Sequence, residues 1–337
     1  MIMKVLITGG AGFIGHNLIK NLLHEDAEVY AVDNFLTGKK ENISGFLNNK
    51  NFHFFQLDIS TQRFKKVFDG LEFDRIYHLA CPTGVPNIHI MGEEMIHACS
   101  FGTFNVLDIA KKSKAKLLFS SSCEVYGQPE VFPQTEMYTG NVDHIGSRSP
   151  YEEGKRFSET ILKFYTRKYN VDAKIVRFFN IYGPGMSLED TRVLPKFFKS
   201  IKEGRSLEVY GDGSQTRTFL YIDDLLKGLE IVMDTGKSGE AYNLGTDRQI
   251  SISDLAELVL KISRADSKIE YVPHFISDHK DRLPSLEKIC NLGWRQSVAL
   301  EDGLKKMTEY YGMENIKEPE NAMLKKPFSA TAGEVVH

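Results

Sequence analysis

The chain is poor in cysteine, has a single tryptophan and contains no long apolar run. Four of its 337 residues are cysteine (Cys81, Cys99, Cys123 and Cys290), with no CxxC pairing and no regular spacing. That excludes a scaffold held by disulfides, and in a chain this long the four read as reduced thiols in a cytoplasmic protein. No stretch approaches the roughly 20 apolar residues of a membrane span. No charged leader with an apolar core precedes the first apolar run, Lys4-Val5-Leu6-Ile7, so no targeting segment is expected. An excess of one charge is also missing: 42 Lys and Arg stand against 45 Asp and Glu. Without a basic stripe or a cationic amphipathic segment, neither nucleic acid nor a membrane surface is an expected partner. His89 and His97 lie near each other, but no Cys, His or carboxylate set completes a ligand spacing, so no metal is expected.

What is present is a chain with 42% hydrophobic residues, enough to bury a sizeable core in one large or two smaller domains. Apolar runs alternate with helical periodicity. Strands are predicted at Lys4–Gly9, Val29–Val32, Phe52–Leu57, Arg75–Ala80, Lys116–Ser122 and Lys174–Phe179. Helices are predicted at Ile14–His24, Met91–Lys112 and Pro150–Tyr169. Strand–helix alternation implies right-handed βαβ units and a parallel sheet covered on both faces. The fold class is therefore α/β: a Rossmann-type doubly wound sheet over residues 1–180, with parts of 215–250 returning to it. A smaller mixed C-terminal lobe is expected from 181–214 and 251–315, with helices at Val193–Lys202, Asp254–Lys261 (N-capped by Ser253) and Val298–Tyr310. Residues 316–337 read as a loosely held tail.

The first predicted strand runs into Gly9-Gly10-Ala11-Gly12-Phe13-Ile14-Gly15, and a helix follows. Gly9 suits a tight turn, Gly12 lets backbone approach a pyrophosphate, and Gly15 lets the helix pack on the sheet. Asp33 stands at the end of the second strand, where an acidic residue would accept hydrogen bonds from a ribose and repel a 2′-phosphate. The expected cofactor is NAD rather than NADP.

Tyr151 and Lys155 are four residues apart on a predicted helix and can face one cleft. A phenol of pKa about 10 is a poor base at neutral pH. Bringing it near 7 takes about 4 kcal/mol, which a nearby ammonium and a positively charged nicotinamide could supply. Ser122, at the end of the fifth predicted strand, would donate a hydrogen bond to a substrate oxygen. Together these residues predict the oxidation of a hydroxyl group.

Several segments carry a resemblance: Tyr77-His78-Leu79-Ala80-Cys81-Pro82, Cys123-Glu124-Val125-Tyr126-Gly127, Gly140-Asn141-Val142, Arg148-Ser149-Pro150-Tyr151-Glu152-Glu153-Gly154-Lys155-Arg156, Phe179-Asn180-Ile181-Tyr182-Gly183-Pro184 and the run from Tyr210 to Phe219. Over roughly residues 3–312 the chain resembles the extended short-chain dehydrogenase/reductases, in the nucleotide-sugar epimerase/dehydratase group, and most of all its UDP-glucuronate decarboxylase branch. The resemblance implies an enzyme that retains NAD and begins by oxidising C4 of a nucleotide sugar. It places Phe13, Ile14, Asn34, Asp58, Ile59 and Ala80 along the cofactor, with Asp58 at the adenine. It places Asn180 at the substrate diphosphate, Tyr210 at the nucleotide base, and Arg217 and Arg282 at the diphosphate or sugar, where guanidinium suits phosphate oxygens.

After C4 oxidation the routes diverge into decarboxylation, dehydration and epimerisation. Family dehydratases carry an Asp-Glu pair where this chain has Cys123-Glu124, and a thiol is a poor acid for expelling hydroxide. The decarboxylases share the glutamate but usually have serine before it, and the loop from Pro82 to Asn87 also departs from their pattern. Decarboxylation of UDP-glucuronate leads. A C4 dehydrogenase or C4 epimerase on another UDP-, GDP- or dTDP-sugar is the alternative, and a non-catalytic NAD-binding sensor is the reading from another class. Related enzymes pair two long helices, and Ile96, Phe104, Leu107, Phe157, Ile161 and Phe164 are the expected homodimer face.

Overall fold

The strands of the main sheet are short, and most of their residues are buried, as expected for strands covered on both faces. The computed structural model describes residues 2–273 and 281–313. Strands β1 (Lys4–Thr8), β2 (Glu28–Asp33), β3 (Phe52–Gln56), β4 (Arg75–His78), β5 (Lys116–Ser122), β6 (Ala173–Phe178) and β7 (Ala241–Leu244) form one sheet. Their order is β7-β6-β5-β4-β1-β2-β3, and every pairing is parallel. The order reverses beside β1, which puts a crevice at the carboxyl ends of β1 and β4.

Alternation along each strand divides the core between the two faces. Val5, Ile7 and Val29 pack with Leu18, Ile19 and Leu22 of α1 (Phe13–His24). Leu6, Tyr30 and Val32 face the opposite way, toward Val106, Leu107, Ile161 and Leu162. Burying each such aliphatic side chain is worth about 2 kcal/mol. The second face is covered by α2 (Gly92–His97), α3 (Thr103–Ser113) and α4 (Ser149–Tyr169).

The predicted single helix over Met91–Lys112 needs correction. A π-helical turn, Ala98–Gly102, separates α2 from α3. Close packing accompanies this turn, since a Cβ on Gly102 would lie 2.6 Å from Ile59 Cδ1. The segment read as a loop from Pro82 to Asn87 enters a short helix, Val85–Ile90. The helix expected at Asp254–Lys261 spans Ile252–Ser263, and its cap is Ser251, not Ser253. Ser251 Oγ accepts the Asp254 N–H at 3.0 Å, while the Ser253 hydroxyl bonds to Tyr271. Ile252 is buried, so the helix begins earlier than its polar residues suggest.

The C-terminal elements make a smaller lobe. Leu207–Tyr210 pairs with Ile269–Val272, and Thr216–Thr218 pairs with Gln249–Ser251. Helices Val193–Lys202 and Leu300–Tyr310 complete it. The expected tail, 316–337, lies outside the described residues. Among the described residues no helix is long and apolar enough to cross a membrane.

Candidate active site

A cleft of about 750 Å³ opens at the carboxyl ends of the strands. It is lined by every cofactor, substrate and catalytic candidate named from the sequence: Gly9, Gly12, Phe13, Ile14, Gly15, Asp33, Asn34, Asp58, Ile59, Ala80, Ser122, Glu124, Tyr151, Lys155, Asn180, Tyr210, Arg217 and Arg282.

The glycine turn is shaped by backbone contacts. Gly9 has φ +76° where the turn leaves β1, and a Cβ there would meet Ala80 N at 2.9 Å. A Cβ on Gly15 would lie 2.2 Å from the Gly9 carbonyl oxygen. Gly12 is the N-cap of α1, with no side-chain cap bond. The first N–H groups of the helix are therefore free to face an anion, which fits a dinucleotide pyrophosphate. Asp33 closes the turn: its carboxylate accepts N–H from Ala11 at 3.0 Å and Phe35 at 2.8 Å. Burial raises its carboxyl above the ordinary value, and those N–H bonds offset only part of the rise. Asn34 donates to Asp58 at 3.1 Å. Burial pushes Asp58 up as well, but hydrogen bonds from Ser60 and Asn34 outweigh it and hold this carboxyl low.

Tyr151 and Lys155 lie on α4. Lys155 is buried and donates to the Ser120 carbonyl at 2.8 Å. Its ammonium is 5.8 Å from the centre of the Tyr151 ring. The expected acidification of Tyr151 is absent from the protein by itself. Burial raises the phenol well above its ordinary value, nearby thiols add to the rise, and a hydrogen bond with the Ser122 hydroxyl opposes it. Ser122 also caps the 3₁₀ turn Cys123–Tyr126, accepting the Glu124 N–H at 3.2 Å.

The other half of the cleft is ionic. Glu124 Oε2 accepts from Arg148 Nη2 at 2.5 Å and from Arg282 Nη2 at 3.1 Å. Arg148 also donates to Glu152 at 2.9 Å, and Arg282 donates to the Gly127 carbonyl. Burial works against both guanidinium charges, but Glu124, joined by Glu152 at Arg148 and by Cys123 at Arg282, more than compensates, and both arginines are held above their ordinary value. Arg282 is 2% exposed and Arg217 9%, so neither is a surface arginine. Cys123 is buried, and burial pushes its thiol up to about 12. Asn180 adopts φ +33°, and its side-chain nitrogen has no partner among the described residues. The Tyr210 ring faces the Lys196 ammonium at 5.4 Å.

The sequence reading missed Arg148 and the Asp190–Arg192 pair, which line the same cleft. Arg192 Nη2 meets Asp190 Oδ2 at 2.6 Å. Arg148 sits four residues before Glu152, a spacing that signals a helical ion pair. Its contact with Glu124, 24 residues away, left no signal in the sequence.

The model of one protein family, the NAD dependent epimerase/dehydratase family, matches residues 5–245. A zebrafish (Danio rerio) UDP-glucuronic acid decarboxylase 1 is 38% identical over 328 residues, covering 97% of this chain and 77% of the relative. The structure of a UDP-glucose 4-epimerase from Thermotoga maritima, solved with UDP-glucose, superposes with a TM-score of 0.85 at 29% identity, covering 92% of this chain and 99% of that one. A dTDP-glucose 4,6-dehydratase from Streptomyces venezuelae, solved with NAD, superposes with a TM-score of 0.83 at 27% identity, covering 92% and 97%. The chain belongs to the NAD dependent epimerase/dehydratase family.

Proposed function

We propose that this protein decarboxylates UDP-glucuronate by way of transient oxidation at C4 of the sugar. The observation that carries the reading is Glu124 clamped between Arg148 and Arg282 beside Ser122 and Tyr151. The identity of 38% to a UDP-glucuronic acid decarboxylase supports it. NAD, held by the Gly9–Gly15 turn and Asp33, would supply reversible hydride acceptance at C4. Tyr151 takes the proton of the C4 hydroxyl, Ser122 donates a hydrogen bond to the same oxygen, and Lys155 holds the phenolate in place. With a ketone at C4, the C6 carboxylate belongs to a β-keto acid and leaves as carbon dioxide, its electrons passing into an enolate that takes a proton at C5 and so restores the C4 ketone for reduction. Arg148 is already matched by Glu152 and Arg282 by Glu124. They therefore do not lock the C6 carboxylate in a ground-state ion pair, and its departure is not opposed. Arg217, Asn180 and Tyr210 hold the diphosphate and the base. The Cys123 thiol, kept protonated by burial, is unsuited to the acid step of a dehydratase.

In this reading residues 1–180, with parts of 215–250 returning to the sheet, form the cofactor domain, while 181–214 and the described part of 251–315 form the lobe that closes over the nucleotide sugar. A homodimer is part of it. Ile96, Phe104, Phe157 and Phe164 are 37–50% exposed on α2, α3 and α4, an apolar face suited to a second copy. Leu107 and Ile161, assigned to the same face from the sequence, are buried at 0% and 4% and belong to the core. A monomer in sedimentation would remove the dimer from the proposal. The four unpaired thiols suit a cytoplasmic setting.

The test is incubation with UDP-glucuronate and with neutral UDP-, GDP- and dTDP-sugars, followed by mass spectrometry. Loss of carbon dioxide from UDP-glucuronate is the expected result. Unreacted UDP-glucuronate beside a converted neutral sugar would overturn the proposal.

A further inference from the structure

Two cysteines with no part in the chemistry above meet beside it. Cys81 follows the end of β4, next to Ala80 in the cofactor wall, and lines the cleft. Cys99 lies in the π-helical turn between α2 and α3 and is 2% exposed. Their sulfur atoms are 3.6 Å apart, in S–H···S contact. The Gly154 position leaves them room, since a Cβ there would lie 3.3 Å from Cys99 Sγ. π turns are rare and concentrate at functional sites. This one carries Cys99 at the level of α4 where Gly154 and Lys155 pass.

We infer that Cys81 and Cys99 are a redox-active dithiol that takes a low-molecular-weight disulfide as its oxidant, admitted through the cleft. Cys81, the sulfur on the cleft wall, passes its proton across the S–H···S contact to Cys99 as it attacks the disulfide, and the thiolate released takes that proton away as the first thiol. Cys99 then attacks Cys81 Sγ, forms the intramolecular disulfide and expels the second thiol. Two electrons and two protons pass from the dithiol to the oxidant, so one disulfide is made and one is broken. Closing the bond brings the sulfurs from contact distance to about 2.05 Å, a movement of side chains and of the short segment after β4. The surroundings favour the resolving step. The Cys81 S–H bond, the Lys155 ammonium and the Ser158 hydroxyl draw the Cys99 thiol below its ordinary value despite burial. Cys81 keeps the shared proton and is raised. The thiolate is the form that attacks a disulfide.

The test treats reduced protein, NAD-loaded and NAD-stripped, with glutathione disulfide and maps its peptides by mass spectrometry without reduction. Expected is a cross-link joining the Cys81 and Cys99 peptides with loss of two hydrogens, reversed by dithiothreitol. The Cys99→Ser protein is expected to retain glutathione on Cys81, and NAD is expected to slow oxidation of the wild type severalfold. Wild-type protein with no cross-link, or with glutathione left on Cys81, would overturn the dithiol. A cross-link whose rate ignores NAD would overturn entry through the cleft. None of these readouts uses a sugar substrate, so the result is independent of the proposed decarboxylation.

Discussion

The two halves of the cleft are built from different materials. The cofactor half is made of backbone: the Gly9–Gly15 turn, the first N–H groups of α1, and an Asp33 carboxylate occupied by N–H groups of its own loop. The substrate half is made of charge: Glu124, Arg148, Arg282 and Arg217, brought together from segments far apart in the chain. The first kind of construction tolerates almost no added volume. The second tolerates volume but not the loss of one partner, because a buried guanidinium without its carboxylate is expensive.

The largest effect that sharpens this contrast lies where the halves meet. Tyr151→Phe is expected to lower turnover by about 10²- to 10⁴-fold while purified protein keeps its NAD. Unchanged turnover on every nucleotide sugar would remove Tyr151 from the chemistry. Before NAD binds, its raised phenol stays neutral, and the neutral form is favoured until pH rises through that raised value. Difference absorbance between wild type and Tyr151→Phe is therefore expected to show no phenolate below pH 10 in stripped protein.

Next comes the ionic half. Glu124→Gln leaves Arg148 and Arg282 undercompensated and is expected to cost about 3 kcal/mol of stability in denaturant titration, along with release of carbon dioxide. A variant as stable as wild type would show that the clamp is not a buried unit. Smaller is the loss in the backbone half. In Gly15→Ala the added carbon would lie 2.2 Å from the Gly9 oxygen, so the turn must shift at a cost of about 1–3 kcal/mol. NAD is expected to be absent from the purified protein, and full retention would contradict the close-approach argument. The smallest effect is a control outside the cleft. Arg248 grips Glu301 at 2.7 and 2.8 Å on the surface. The hydrogen bonds from Arg248 lower that carboxyl to about 2. A depressed carboxyl stabilises the fold above its ordinary value and loses this contribution as pH falls from 4.5 toward 2. Arg248→Ala is expected to cost under about 1 kcal/mol at neutral pH, because an exposed pair is screened. It should cost nothing at the acid end, and a larger neutral-pH loss would blur the distinction between buried and surface charge.

The cofactor half was legible because its parts are neighbours in the chain or sit at the ends of adjacent strands. Strand, turn, helix and Asp33 follow one another, and five-residue apolar runs such as Lys4–Thr8 declare themselves. Val193–Lys202 was read with its observed limits, since its apolar stripe is strong. The π turn was not legible, because the helical pattern runs through it unbroken, and neither was the Ser251 cap, two residues ahead of the serine chosen. Leu107 and Ile161 were misplaced because an apolar residue on a helix does not say which of two neighbours it meets.

By itself the sequence determined the fold class, the NAD-type turn and the Tyr151–Lys155 pair, since each rests on spacing within one or two elements and on the chemistry of single residue types. Only the tertiary structure decided that Arg148 and Arg282 share Glu124, that burial raises the Tyr151 phenol, and that Cys81 meets Cys99. Those facts depend on distance, burial and desolvation between segments up to about 160 residues apart, and such quantities exist only once the sheet has brought the segments together.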